Sequence, residues 1–211
     1  MIDLLHELAQ VHRAVTQEAA GNPDEVIKVT LRRTYPTDPA DLWDALTRPE
    51  RLARWFSPVT GDLRPGGTFQ IENNAGGEIL ACEPPSLLRT TFGDATSVVT
   101  VSLAATGSEA ATELTLDHTV PLAFAGSVAG ALFAGPGWDE ALIGLWLHLN
   151  HPDADRIATL DTDRGREWAH RVVLAWIGVA QAAGAPADQL EAGRQAALAQ
   201  FAPHVLAQSP G

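Results

Sequence analysis

Two side chains and one short cluster in this chain have the type and placement to do chemistry. His118 stands in phase with Leu114, Leu116 and Val120, so its ring points with them toward an interior. An inward imidazole can anchor a polar ligand atom or act as general acid or base; it can equally be a core histidine satisfied by a backbone carbonyl. Arg33 interrupts the apolar face formed by Ile27, Val29, Leu31 and Tyr35. Either its head reaches water past its own stem near a strand end, or it sits at a cavity mouth and holds an anionic group. His148, His151, Asp153 and Asp155 gather around a helix end, as metal ligands or as an ordinary C-terminal turn. Their spacing matches no structural zinc pattern. Nucleophile and phosphate motifs are missing. There is no G-x-S-x-G, no H-E-x-x-H and no cysteine pair, and the glycine pairs at 66–67 and 76–77 precede strands rather than helices. Because His118 has no identifiable Asp, Ser or Cys partner, no residue receives a catalytic role, and neither a metal nor a cofactor is expected.

Composition narrows the partners. The 211 residues suffice for one substantial core, and a 45% hydrophobic fraction with six tryptophans indicates a folded protein. The formal charge is −12, and no basic run occurs, which argues against nucleic acid and anionic membranes as partners. Cys82 is the only cysteine, so no internal disulfide can form and a reducing compartment fits. The first residues do not read as a secretory signal, and no apolar run approaches the ~20 residues of a membrane span. A cytoplasmic location is the expectation.

The candidate residues need elements to hold them. Residues 2–18 read as an amphipathic helix, with Leu4, Leu8, Val11 and Val15 on one stripe, and Gly21-Asn22-Pro23 breaks it. Residues 26–35 alternate as a half-buried strand. Thr37-Asp38-Pro39 starts a short helix with Leu42, Ala45 and Leu46 on one face. Pro49 starts a second, with Leu52, Trp55 and Phe56, closed by Pro58. A glycine-rich loop spans 61–67. Strands then follow at 68–73, 78–83, 87–92, 96–105 and 112–120, with turn residues between them. In the second of these, Ile79 and Ala81 oppose Leu80 and Cys82. Glu72 and Glu78 flank a hairpin turn and read as a solvated face. Residues 121–137, rich in Ala, Gly and Phe, read as a close-packed connection or a mobile loop over a cavity. A helix begins at Gly137, with Trp138, Leu142, Leu145, Trp146 and Leu149 on its apolar stripe and Asp139 and Glu140 in its first turn; Pro152 stops it. Two further helices form a C-terminal hairpin about Gly184-Ala185-Pro186. Their apolar stripes need the domain body or a second subunit, so a homodimer is among the expected partners. Six hairpin-linked strands with helices only before and after them indicate an α+β fold.

Several of these segments carry a family resemblance. Leu42-Trp43-Asp44-Ala45-Leu46-Thr47 and Leu52-Ala53-Arg54-Trp55-Phe56-Ser57-Pro58 resemble the opening of the family named for activators of a heat-shock-chaperone ATPase, within the START-like (SRPBCC) superfamily. Pro65-Gly66-Gly67-Thr68-Phe69, Leu116-Asp117-His118 and Gly137-Trp138-Asp139-Glu140-Ala141-Leu142 resemble its later landmarks, in order. The resemblance covers about residues 26–150. It implies a helix-grip fold: a curved six-stranded antiparallel sheet around a long C-terminal helix, with a cavity between them for an apolar or amphipathic molecule. The expected organisation is an N-terminal helix (1–22), the helix-grip domain (23–152) and a helical extension (153–211). The expected ligand-binding residues are Arg33, Trp55, Phe69, Ile71, Val99, Leu116, His118, Trp138, Leu142 and Leu145, with other aromatics such as Trp43, Phe56, Phe92 and Trp146 near the cavity or in the core. Two alternatives stand beside ligand binding: a cyclase- or hydrolase-type enzyme using His118 with Arg33 on an anionic group, and a chaperone- or regulator-linked interaction module.

Overall fold

A computed structural model describes residues 2–18, 25–107 and 110–207. Among them one antiparallel sheet of eight strands runs in the order β1-β2-β8-β7-β6-β5-β4-β3. The strands are β1 (His12–Glu18), β2 (Val26–Tyr35), β3 (Val59–Gly61), β4 (Thr68–Ile71), β5 (Gly76–Glu83), β6 (Leu87–Phe92), β7 (Asp94–Ala105) and β8 (Thr112–Pro121). The fold is the α+β helix-grip arrangement, with two strands more than the six expected. The three-residue β3 is too short to show a period.

β1 replaces the second half of the expected N-terminal helix. Only α1 (Leu4–Ala9) is helical, capped by Asp3, whose carboxylate accepts from the His6 N–H at 3.1 Å. His12–Glu18 pairs with β2, placing Arg13 opposite Leu31 and Val15 opposite Val29. The ambiguity is arithmetic. A spacing of four, as between Val11 and Val15, satisfies a helix and a strand alike. Arg13 lies between them on the same inward face, and its charge disguises the alternation. The expected break at Gly21-Asn22-Pro23 lies outside the described residues.

Two short helices close one end, as the sequence indicates. In α2 (Pro39–Thr47) Asp38 caps the N–H groups of Ala40 and Asp41, both at 2.9 Å. In α3 (Pro49–Trp55) the proline again opens the helix. Residues 121–137 are neither a loop nor a plain connection. They form α4 (Leu122–Ala125), a single 3-10 turn (Val128–Gly130) and the first two turns of α5 (Ala131–Asn150). The long helix therefore starts six residues before Gly137 and passes through Pro136. Asp139 is thus not in a first turn. The small residues ahead of it serve close approach: a Cβ on Gly135 would lie 2.4 Å from the Trp176 ring.

α6 (Arg156–Leu160), α7 (Asp163–Ala182), α8 (Ala187–Phe201) and α9 (Pro203–Ala207) complete the chain. The stripe of Trp168, Val172 and Trp176 on α7 is buried in the same core as the sheet, and α7 and α8 both pack on α5. The apolar face that could have served a second subunit is therefore covered by the protein itself. α5 lies between the concave face of the sheet and these helices.

Candidate functional site

Between the sheet and α5 lies a hollow of about 200 Å³. The strand register explains its wall. Val99 pairs with both Thr90 and His118, and Val101 with Leu88 and Leu116, so each row across β6, β7 and β8 presents one face inward. β4 adds Phe69 and Ile71. The β5–β6 register shifts between Ile79 and Ala81, and such a bulge changes the parity of the strand. Ile79 and Cys82 consequently both line the hollow, whereas simple alternation assigns them to opposite faces. α5 contributes Trp138, Ala141, Leu142 and Leu145; α2 and α3 contribute Leu46, Thr47, Leu52 and Trp55, and Phe56 follows at the end of α3.

The wall offers a guest almost no hydrogen-bonding capacity. The Trp55 indole N–H donates to the Ala45 carbonyl at 3.0 Å, and the Thr47 hydroxyl to the Trp43 carbonyl at 2.8 Å. The Trp138 N–H donates to His118 Nδ1 at 3.1 Å. What these groups turn toward the hollow is carbon.

Eight of the ten expected ligand-binding residues line it together: Trp55, Phe69, Ile71, Val99, Leu116, Trp138, Leu142 and Leu145. His118 and Arg33 do not. His118 is buried behind Trp138. Because Nδ1 accepts from Trp138, Nε2 carries the proton and donates to Ser97 Oγ at 2.8 Å. This is a satisfied core histidine, with side chains rather than a carbonyl as partners. Burial lowers its pKa to about 4, so the ring is neutral at physiological pH. A ring in this tautomer gives a hydrogen bond to Ser97 and cannot take the hydroxyl proton through Nε2.

Arg33 is also buried, but its guanidinium pairs with the Glu7 carboxylate and lies 5.3 Å from the Tyr35 ring and 5.6 Å from the Trp146 ring. A charge on an inward face requires a counter-ion, and α1 supplies it. Arg33 faces Leu114 in the register, four residues along β8 from His118, or about 13 Å. The two groups proposed for acid–base chemistry are therefore not at one site. The residues near the end of α5 separate in the same way. His148 lies beside Arg51 at 3.4 Å, the His151 ring packs on Trp146 with centroids 5.0 Å apart, and Asp155 caps α6. No metal-holding cluster of His, Cys, Asp or Glu occurs among the described residues.

A second, open cleft of about 440 Å³ adjoins the hollow and shares Trp55, Phe56, Phe92, Trp138 and Ala141 with it. The Phe92 and Trp138 rings lie 5.2 Å apart at this partition. The cleft is more polar, with Glu72, Asn73, His118, Glu140, Arg156 and Gln200 on its walls.

With this geometry in place, residues 36–146 match the family described as Activator of Hsp90 ATPase homolog 1-like protein. The chain belongs to that family. Among solved structures, this family member is similar to CalU16 from Micromonospora echinospora. The crystal structure of CalU16 is 28% identical and covers 81% of this chain and 98% of its own, with a TM-score of 0.66. The solution structure of CalU16 gives 27% identity, 82% and 97% coverage, and a TM-score of 0.67. A conserved protein of unknown function from Enterococcus faecalis, EF2215, shares the fold at 16% identity, covering 85% of this chain and 96% of its own, with a TM-score of 0.63. No curated protein matches. Among the described residues no helix is long and apolar enough to cross a membrane.

Proposed function

We propose that this protein binds a small apolar or amphipathic molecule in the hollow between the sheet and α5. The observation that carries this reading is an empty space of about 200 Å³ walled almost wholly by aliphatic and aromatic side chains, with the Trp55, Thr47 and Trp138 donors already bonded within the protein. Water filling such a space needs two to four polar partners per molecule, and this wall supplies few. An apolar guest restores the lost packing contacts without that requirement. The eight expected residues that share the wall support the same reading. The enzyme alternative draws no support from His118, whose proton and partners leave it no base function, or from Arg33, which is bonded to Glu7 elsewhere in the core.

Fluorescence titration with the neutral dye N-phenyl-1-naphthylamine tests the reading. Saturable one-to-one binding is expected, and it should slow alkylation of Cys82, the single thiol, which lines the hollow. Ala141→Leu places three more carbons in the space and should weaken the dye by roughly tenfold or more while changing stability by about 1 kcal/mol or less. Absence of saturable binding, or binding that ignores Ala141→Leu, would refute the proposal.

A further inference from the structure

We infer that the outer cleft is a head-group site that favours a positively charged, ammonium-type end of the guest and disfavours an anionic one. This rests on the proposal that the inner hollow takes the apolar body. The cleft adjoins the hollow and shares Trp55, Phe56, Phe92, Trp138 and Ala141 with it, so a guest that reaches past these side chains places its polar end in the cleft.

The charges decide the sign. The cleft is lined by two carboxylates, Glu72 and Glu140, and one guanidinium, Arg156. That guanidinium is already committed, since Arg156 donates to Glu140 at 2.8 Å. Its stem lies against Gly144, where even an added Cβ would come within 2.8 Å of Arg156 Cδ. An anionic head would have to take Arg156 from Glu140 and leave a carboxylate unpaired beside it. His118, also on the cleft wall, is neutral, with both ring nitrogens bonded to Trp138 and Ser97. Glu72 has no cationic neighbour among the cleft residues, and its backbone is fixed to α3's exit: its N–H donates to the Pro58 carbonyl at 2.9 Å, and its carbonyl accepts from the Ser57 hydroxyl at 3.3 Å. The remaining lining combines neutral polar side chains such as Asn73, Asn74 and Gln200 with aromatic ones, including Phe133, Phe201 and Trp138. Aromatic faces attract a cation and offer nothing to an anion. Carboxylate, aromatic side chains and a preoccupied arginine together suit an alkylammonium group.

The test uses three probes with one chain: octylamine, octanol and octanoate, each competing with N-phenyl-1-naphthylamine on the full-length protein near neutral pH. Octylamine should bind roughly tenfold more tightly than octanoate, with octanol between them. Glu72→Gln should reduce that ratio to about threefold. Glu83→Gln, which removes the same charge from an exposed position on β5 outside the cleft, should leave it unchanged. Equal binding of the three probes, or tighter octanoate, overturns the head-group site and leaves the hollow as a binding site. An equal response to Glu72→Gln and Glu83→Gln overturns it too, since the preference would then come from the overall charge of −12. Failure of the dye itself to bind removes both proposals together.

Discussion

The two sides of α5 treat buried polarity in opposite ways. On the side facing the hollow, Trp138, Ala141, Leu142 and Leu145 look onto empty space, and the titratable group bonded to Trp138, His118, is kept neutral and also bonded to Ser97. On the side facing β1 and α7, Asp139 is buried and receives three hydrogen bonds. Arg13 donates Nε at 2.8 Å and Nη2 at 2.6 Å to its two oxygens, and Trp176 donates its indole N–H at 2.7 Å. Burial pushes the Asp139 carboxyl up from its ordinary value, and the Arg13 and Trp176 bonds work against that rise. The charged side is closely packed at Gly135, where an added Cβ would meet the Trp176 ring. A helix can border a hollow if its other face is held in one position. The comparison indicates that the C-terminal helices and β1 brace the helix that the sheet grips.

Breaking the brace should produce the largest effect. Asp139→Ala leaves Arg13 nearly buried with no carboxylate to meet it, and should cost about 3–5 kcal/mol in denaturant unfolding. Asp139→Leu combined with Arg13→Met removes both charges and should cost clearly less than Asp139→Ala alone. A double variant as unstable as the single one would mean that shape, rather than the stranded charge, governs this side.

On the hollow side the corresponding lever is pH. His118 resists protonation in the folded protein until about pH 4, whereas an imidazole in the unfolded chain takes up its proton near 6.5. Between those values the unfolded state binds the extra proton. Stability from this residue is therefore complete above about pH 6.5 and falls as the pH drops toward 4, by on the order of 3 kcal/mol in total. His118→Gln removes the titration, so the stability difference between wild type and variant should narrow or reverse across that window. A difference that stays constant from pH 7 to pH 4 would show that His118 is not held neutral.

The gripping parts of this fold and the C-terminal helices were legible in the sequence; β1 and the charged contacts that hold α5 were not. β2, β7, β8, α2 and α3 carry clean alternation, caps and prolines, and eight of the hollow's residues follow from those patterns and the family resemblance. Each failure traces to a local pattern that tertiary contacts override. By its sequence Arg33 could reach water or a cavity mouth, and Arg13 falls in an expected helix, yet both point inward because Glu7 and Asp139, 26 and 126 residues away, neutralise them. The β5 bulge moved Cys82 to the inner face, and nothing in Glu78–Glu83 announces a bulge. Gly135-Pro136-Gly137 reads as a helix start because glycine and proline are poor in helix interiors; the helix continues because Trp176 needs the space.

That last contact yields the smallest and sharpest test of the comparison. A methyl at position 135 would come within 2.4 Å of Trp176 Cε2 and 2.5 Å of Cδ2, so the fully buried indole would have to move. The same indole bonds to Asp139, so a shift there also loosens the charged hub. Gly135→Ala should therefore lose about 1–3 kcal/mol despite alanine's higher helix propensity. At Gly178, in the exposed face of α7, an added methyl would meet nothing within 4 Å, and Gly178→Ala should gain up to about 1 kcal/mol. Measured side by side in thermal melts, the two identical substitutions should move in opposite directions. If both stabilise, Trp176 yields freely, and the side of α5 away from the hollow is not the rigid one.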